Sequence, residues 1–189
     1  MRVIGGTAKG RQLRAPDLDG LRPTSDRVRE AIFDIVSSRA VLEGATVLDA
    51  FAGSGALGIE ALSRGADSAC FVEKDRRAVA AIRKNLDSTG LGESVARVVR
   101  SDVLQFLAAN TGTRYDLALV DPPYGFDEWP LLLGLLRADV AILETSRPVA
   151  AAGGFEVSRE YRYGGTLVTL VEARSLDRGD AQPAEKDPE

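Results

Sequence analysis

An aspartate, two prolines and a tyrosine stand in a row at Asp121–Tyr124, directly after the apolar run "YDLALV". Proline lacks a backbone donor and has a locked φ, so two together extend neither a ladder nor a helix. The segment reads as a rigid loop with a carboxylate at one end and an aromatic ring at the other. Asp and Pro are also ordinary turn residues, so these four alone fit a strand-ending turn equally well. A second group lies upstream. "LDAFAGSGALG" (Leu48–Gly58) sets Gly53, Gly55 and Gly58 in GxGxxG spacing between an apolar run and a helical one. Such a turn brings backbone donors and the positive end of a helix against a ligand. Glu73 closes the next apolar run, where an acid commonly takes a ribose diol. These features suit NAD as well as another adenosine-containing ligand.

Two further acids shift the balance. Asp49, just ahead of the glycine loop, can face the cationic amino-acid end of S-adenosylmethionine, whereas the pyrophosphate of NAD would meet that charge unfavourably. Asp102 follows the next apolar run and can accept from an adenine amine. Taken singly, each acid reads as readily as a helix cap or turn. Together they fall after three successive strands, on the edge where open parallel sheets bind ligands. A methyl donor beside an Asp-Pro-Pro-Tyr loop suggests transfer to an exocyclic amine of a nucleobase. The lone pair of such an amine is delocalised into the ring. The Asp121 carboxylate and the Pro122 carbonyl can accept its two N–H bonds and steer the lone pair toward the methyl group. Tyr124 can stack on the base, which must be single-stranded or flipped out to enter. Phe126 and Trp129 are candidates for the wedge that extracts it. In-line methyl transfer rests on positioning and electrostatics and needs neither histidine nor metal.

The elements that position these residues alternate. The runs "MRVIGG" and "RQLRAP" suggest a small hairpin, and Val28, Ala31, Ile32, Ile35 and Val36 recur at helical spacing from about Ser25. Strand-like and helical runs then take turns, in the order "ATVLDAF", "GALGIEALSR", "SACFVE", "DRRAVAAIRKNL", "SVARVV", "VLQFLAAN", "YDLALV", "WPLLLGLLR" and "DVAILET". Such alternation predicts a parallel sheet with helices on both faces. The ending differs, because "FEVSREYRY" and "TLVTLVEA" flank Gly164-Gly165, a two-residue hairpin signal. The fold class expected is α/β, a Rossmann-like sheet ending in an antiparallel hairpin. The Asp/Glu/Pro-rich segment from Ser175 is expected to be disordered.

The chain of 189 residues contains no histidine and a single cysteine, Cys70. Ser-His-Asp and Cys-His catalysis and imidazole metal sites are therefore excluded, and no internal disulfide forms. No metal is expected, and Cys70 reads as a core residue. No apolar run approaches the ~20 residues of a membrane span, and the first residues hold no apolar segment long enough for a secretory signal. No membrane partner is expected, and the cytoplasm is the expected compartment. The net charge of −4 is unevenly placed, with Arg2, Lys9, Arg11 and Arg14 at the start and five acids after Arg174. A basic head on an acidic body is either a phosphate footprint or a solvated face.

The motifs "MRVIGGTAKGRQL", "LRPTSDRVREAIFDI", "LDAFAGSGALGIEALSRGA", "FVEKD" and "VDPPY" together resemble the bacterial 16S ribosomal RNA guanine-N2 methyltransferases, which modify one small-subunit guanine (conventionally 966). The resemblance implies a seven-stranded methyltransferase sheet over residues 23–174, a basic N-terminal arm over 1–22 and an unmatched acidic tail over 175–189. It implies S-adenosylmethionine as cofactor, with Asp49, Gly53 and Gly55 at its methionine part, Glu73 at the ribose, and Asp102 and Val103 at the adenine. Asp121, Pro122, Pro123 and Tyr124 would line the base site. Arg2, Lys9, Arg11 and Arg14 would reach ribosomal RNA, with Arg22 and Thr24 near the catalytic mouth. The implied partner is 16S rRNA in the small subunit or an assembly intermediate, met by a monomer. An adenine-N6 methyltransferase on DNA or RNA shares the "DPPY" loop. A dehydrogenase and a non-catalytic ribosome-assembly factor are the other readings.

Overall fold

The structure, a computed structural model, describes residues 1–16, 25–92 and 94–174. Arg22, Thr24, the expected boundary between arm and domain, and the acidic tail lie outside these residues. Helix α1 (Asp26–Ser38) opens on Ser25, whose side chain accepts from the Val28 amide, the capping bond that orphan helix-end donors call for. The chain then alternates through β1 (Thr46–Ala50), α2 (Ala56–Ser63), β2 (Ser68–Glu73), α3 (Arg76–Thr89), β3 (Ala96–Arg100), α4 (Val103–Ala109), β4 (Tyr115–Val120), α5 (Trp129–Leu135) and β5 (Ala138–Thr145). The antiparallel pair β6 (Phe155–Tyr163) and β7 (Thr166–Ala173) turns at Gly164-Gly165, with Tyr163 facing Thr166.

The seven strands form one sheet in the order β3-β2-β1-β4-β5-β7-β6. β1 to β5 run parallel and β7 enters antiparallel beside β5. The order reverses between β1 and β4, which places the exits of these two strands side by side. Side chains alternate across a strand, so consecutive residues feed two cores. Val47, Phe71 and Leu119 pack with α1 and α2 on one face, while Leu48, Val72 and Ala118 pack with α4 and α5 on the other. Cys70 is buried in the second core, and Tyr115 shares a hydrogen bond with it. Burial pushes both the thiol and the phenol up, which keeps them uncharged. β6 is an edge strand, and its register breaks between Val157 and Arg159. Among the described residues no helix is long and apolar enough to cross a membrane.

The N-terminal hairpin takes its shortest form, one antiparallel bridge between Arg2 and Gln12. It is held by α2 more than by its own ladder. Glu60, fully buried in α2, accepts from the amides of Ile4 and Gly5, each at 2.7 Å, and pairs with Arg64. Ser63 Oγ accepts from the Ala8 amide and donates to the Gly5 carbonyl. Gly6 has φ +74, and a Cβ there would fall 1.7 Å from the Ser63 carbonyl oxygen. A glycine is required because the arm touches the helix backbone. Arg29 of α1, also fully buried, donates to the Arg2 carbonyl at 2.6 Å and pairs with Asp26. Burial lowers its pKa, and the nearby carboxylates offset part of that shift.

Candidate active site

The sheet reversal opens a cleft of about 1010 Å³ at the carboxyl edge, where open α/β sheets take ligands. Asp49, Gly53, Glu73, Asp102, Val103, Asp121, Pro122, Pro123 and Tyr124 all line it, although the chain brings them from four different strand ends. Gly55 does not. It stands behind the loop in a left-handed conformation (φ +78), where a Cβ would press on Ile82 of α3 at 3.2 Å. Its work is to turn the chain into α2. Arg2, Lys9, Arg11 and Arg14 are exposed on the arm and outside the cleft wall.

The glycine loop differs from the expected cradle of outward donors. The Gly53 amide donates to Glu73 Oε2 at 2.9 Å, the Gly55 amide to the Ala52 carbonyl at 2.6 Å, and the Gly58 amide to Asp49 Oδ2 at 2.8 Å. The amides of all three motif glycines are thus spent on the protein's own acceptors, two of them carboxylates. A pyrophosphate would find acids where a dinucleotide site offers donors. Gly58 has a second constraint, since a Cβ on it would lie 2.4 Å from Phe71 Cε1 and 3.0 Å from Asp49 Oδ2.

Asp49 lies in the sheet between Phe71 and Leu119, 2% exposed. Burial pushes its carboxyl well above the usual range. The Gly58 amide works against that shift, and the charges of Asp121 and Glu73 add to it. A cationic ligand among these three cleft acids would relieve their mutual repulsion. Glu73 Oε1 also accepts from the Asp75 amide, so this side chain is fixed from both sides. Asp102 caps α4 through Oδ1, which accepts from the amides of Leu104 and Gln105. It is a helix cap that also lines the cleft.

Beyond β4, the Phe126 amide donates to the Pro123 carbonyl at 3.2 Å, closing Pro123–Phe126 into a tight turn directly after Asp121 and Pro122. Tyr124 is 76% exposed, as a stacking surface must be. Phe126 and Trp129 meet edge to face at 5.2 Å between ring centroids, and Phe126 meets Phe51 at 5.3 Å. Phe51 itself has φ 61, a backbone form that L residues rarely adopt. This brace joins the exit of β1 to the exit of β4 and engages both aromatics considered as wedges for prising out a base.

Reasoning from the sequence missed the far walls. Ser25 and Val28 of α1 close one side, and Ser146–Pro148 after β5 and Tyr163–Thr166 at the hairpin tip close another. Apart from Arg147 and Tyr163 their residue types carry no chemical signal, and only the folding of β7 back beside β5 brings the hairpin tip to the cleft.

A family described as conserved hypothetical protein 95 matches residues 1–172. An Escherichia coli (strain K12) protein named ribosomal RNA small subunit methyltransferase D is 42% identical over 178 residues, covering 94% of this chain and 83% of its own. The solved structure of a hypothetical protein from Thermus thermophilus superposes with a TM-score of 0.79 at 35% identity, over 92% of this chain and 99% of its own. A more distant solved structure, SMU.776 complexed with SAH, matches with a TM-score of 0.64 at 16% identity, over 82% of this chain and 50% of its own. That last likeness is one of fold alone.

Proposed function

The chain belongs to the family described as conserved hypothetical protein 95, and on that premise we propose that it methylates the exocyclic N2 amine of one guanine, number 966, in 16S rRNA of the small ribosomal subunit. The cofactor is S-adenosylmethionine, which supplies an electrophilic methyl group on a sulfonium centre. One observation carries the reading. The cleft joins a cluster of three acids, Asp49, Glu73 and Asp121, to a rigid Asp-Pro-Pro-Tyr turn beside an exposed aromatic ring.

Asp49 faces the ammonium of the cofactor's amino-acid part and Glu73 its ribose, while Asp102 and Val103 hold the adenine. On the other side, the Asp121 carboxylate and the Pro122 carbonyl accept the two N–H bonds of the target amine. This orients its lone pair and stabilises the positive charge that grows on nitrogen. Tyr124 stacks on the flipped base, and the exposed arm residues meet RNA phosphate. The enzyme acts in the cytoplasm as a monomer, on the small subunit or an assembly intermediate.

The test is incubation with labelled S-adenosylmethionine and small subunits lacking the modification, followed by digestion and identification of the nucleoside. Label in N2-methylguanosine, lost in Asp121→Ala, is expected. Label in N6-methyladenosine would overturn the choice of base. Cofactor binding without any transfer, across subunits and earlier particles, would overturn the enzymatic reading.

A further inference from the structure

A second concavity lies behind the glycine loop. It is a groove of about 650 Å³ between the N-terminal arm and α3, lined by Arg11, Arg14, Lys84, Asn85, Asp87 and Ser88 among others. We infer that this groove seats the phosphate backbone of the substrate RNA beside the target nucleotide, an inference that rests on the reading of the protein as an RNA methyltransferase.

Three cations from two separate elements line it against a single acid, Asp87. Among the described residues Arg11, Arg14 and Lys84 enter no ion pair. Exposed cations held together without partners repel one another, a cost that an anionic ligand removes. Ser88 adds a hydroxyl, a common phosphate donor.

The groove is built rather than incidental. Asn85, 1% exposed, accepts from the Arg14 amide at 2.9 Å and donates through Nδ2 to the Arg14 carbonyl at 2.9 Å. The same Nδ2 donates to the Ser54 carbonyl at 2.9 Å. One buried amide thus fixes the arm against α3 and fixes both against the glycine loop, whose Ser54 lines the cleft on the opposite side. The glycine loop therefore touches the groove through Asn85 and the cleft through Ser54. Asp49, Glu73 and Asp121 disfavour phosphate at the heart of the cleft, whereas this groove presents three cations against a single acid.

The experiment measures binding of labelled 16S rRNA to Arg14→Ala, Lys84→Ala and Arg162→Ala across a salt series, alongside methyl transfer to subunits. Arg162 is exposed on β6, at the far edge of the sheet, and serves as the control for net charge. Each groove variant is expected to weaken binding several-fold and to lower the slope of log affinity against log salt by roughly one phosphate contact's share, about 0.7–0.9. Cofactor affinity should hold in all three, and Arg162→Ala should match the parent. Groove variants that match Arg162→Ala, or competition by an acidic peptide as effective as RNA, would overturn the inference while methyl transfer still upholds the enzyme. Altered slopes without any transfer by the parent protein would uphold the groove and overturn the enzymatic reading.

Discussion

Replacing Gly58 by alanine sets two known effects against each other, and the structure decides which wins. Alanine is a better helix former than glycine by about 1 kcal/mol, so in open space the change would stabilise α2. Gly58 is not in open space, because the new Cβ would lie 2.4 Å from Phe71 Cε1 and 3.0 Å from Asp49 Oδ2. Carbon contacts settle at about 3.5–4.0 Å, so the ring must retreat by roughly 1 Å. Phe71 is 0% exposed and held in the central sheet, and interiors packed to crystal density resist such a shift. Overpacking of this kind costs about 1–3 kcal/mol. The net expectation is a loss of about 1 kcal/mol, or about 2–4 °C in Tm for a chain of this size. The displaced Asp49 carboxylate should also raise the Kd for S-adenosylmethionine about tenfold, equivalent to about 1.4 kcal/mol. Chemical denaturation and calorimetric titration read the two quantities. A variant about 1 kcal/mol more stable than its parent, with unchanged Kd, would refute the packing argument.

Three other outcomes follow from the same geometry. Because the Asp49 carboxyl is raised in the folded state, that state binds more protons than the unfolded chain above about pH 4. Its contribution to stability therefore falls as pH rises toward the folded pKa. Asp49→Asn should flatten that part of a Tm-against-pH profile, stabilise the unliganded protein at neutral pH and abolish cofactor binding, whereas parallel profiles would contradict the assignment. Removing the Glu60 carboxylate by Glu60→Ala strands the Ile4 and Gly5 amides and the Arg64 guanidinium. A loss of about 3 kcal/mol and rapid hydrogen exchange at those two amides are expected; continued protection there would show that the arm is held otherwise. Tyr124→Ala should raise KM for the RNA substrate about tenfold or more without changing Tm, since stacking contributes about 1–3 kcal/mol; Tyr124→Trp should restore it, and an alanine variant with normal KM would exclude the stacking role.

The parallel sheet was legible because buried strands such as "ATVLDAF" and "YDLALV" alternate with helical runs, and Gly164-Gly165 announced the closing hairpin. Most acids of the cleft were legible because Glu73, Asp102 and Asp121 end or follow strands on one edge, whereas Asp49, expected after its strand, stands inside β1. The inward turn of the glycine amides was not, since GxGxxG specifies chain shape and leaves open which acceptors the neighbouring strands supply. The anchoring of the arm was also hidden. Its one trace is Glu60, a charge inside the fully buried helix "ALGIEALS", which demands partners without naming them. The groove needed the fold, because Arg14 and Lys84 lie far apart in the chain and share it only once the arm is bonded to Asn85 of α3.

The edge strand β6 has a consequence for how this chain survives at high concentration. Nine residues of open ladder are a template on which another extended segment can add itself. Here Glu156, Arg159, Glu160 and Arg162 all stand exposed along it, so an incoming strand would have to bury charges of both signs. The irregularity between Val157 and Arg159 further breaks the straight run of donors and acceptors that such a strand needs. The hairpin whose tip walls the cleft is, along its outer rim, the chain's defence against sheet-to-sheet aggregation.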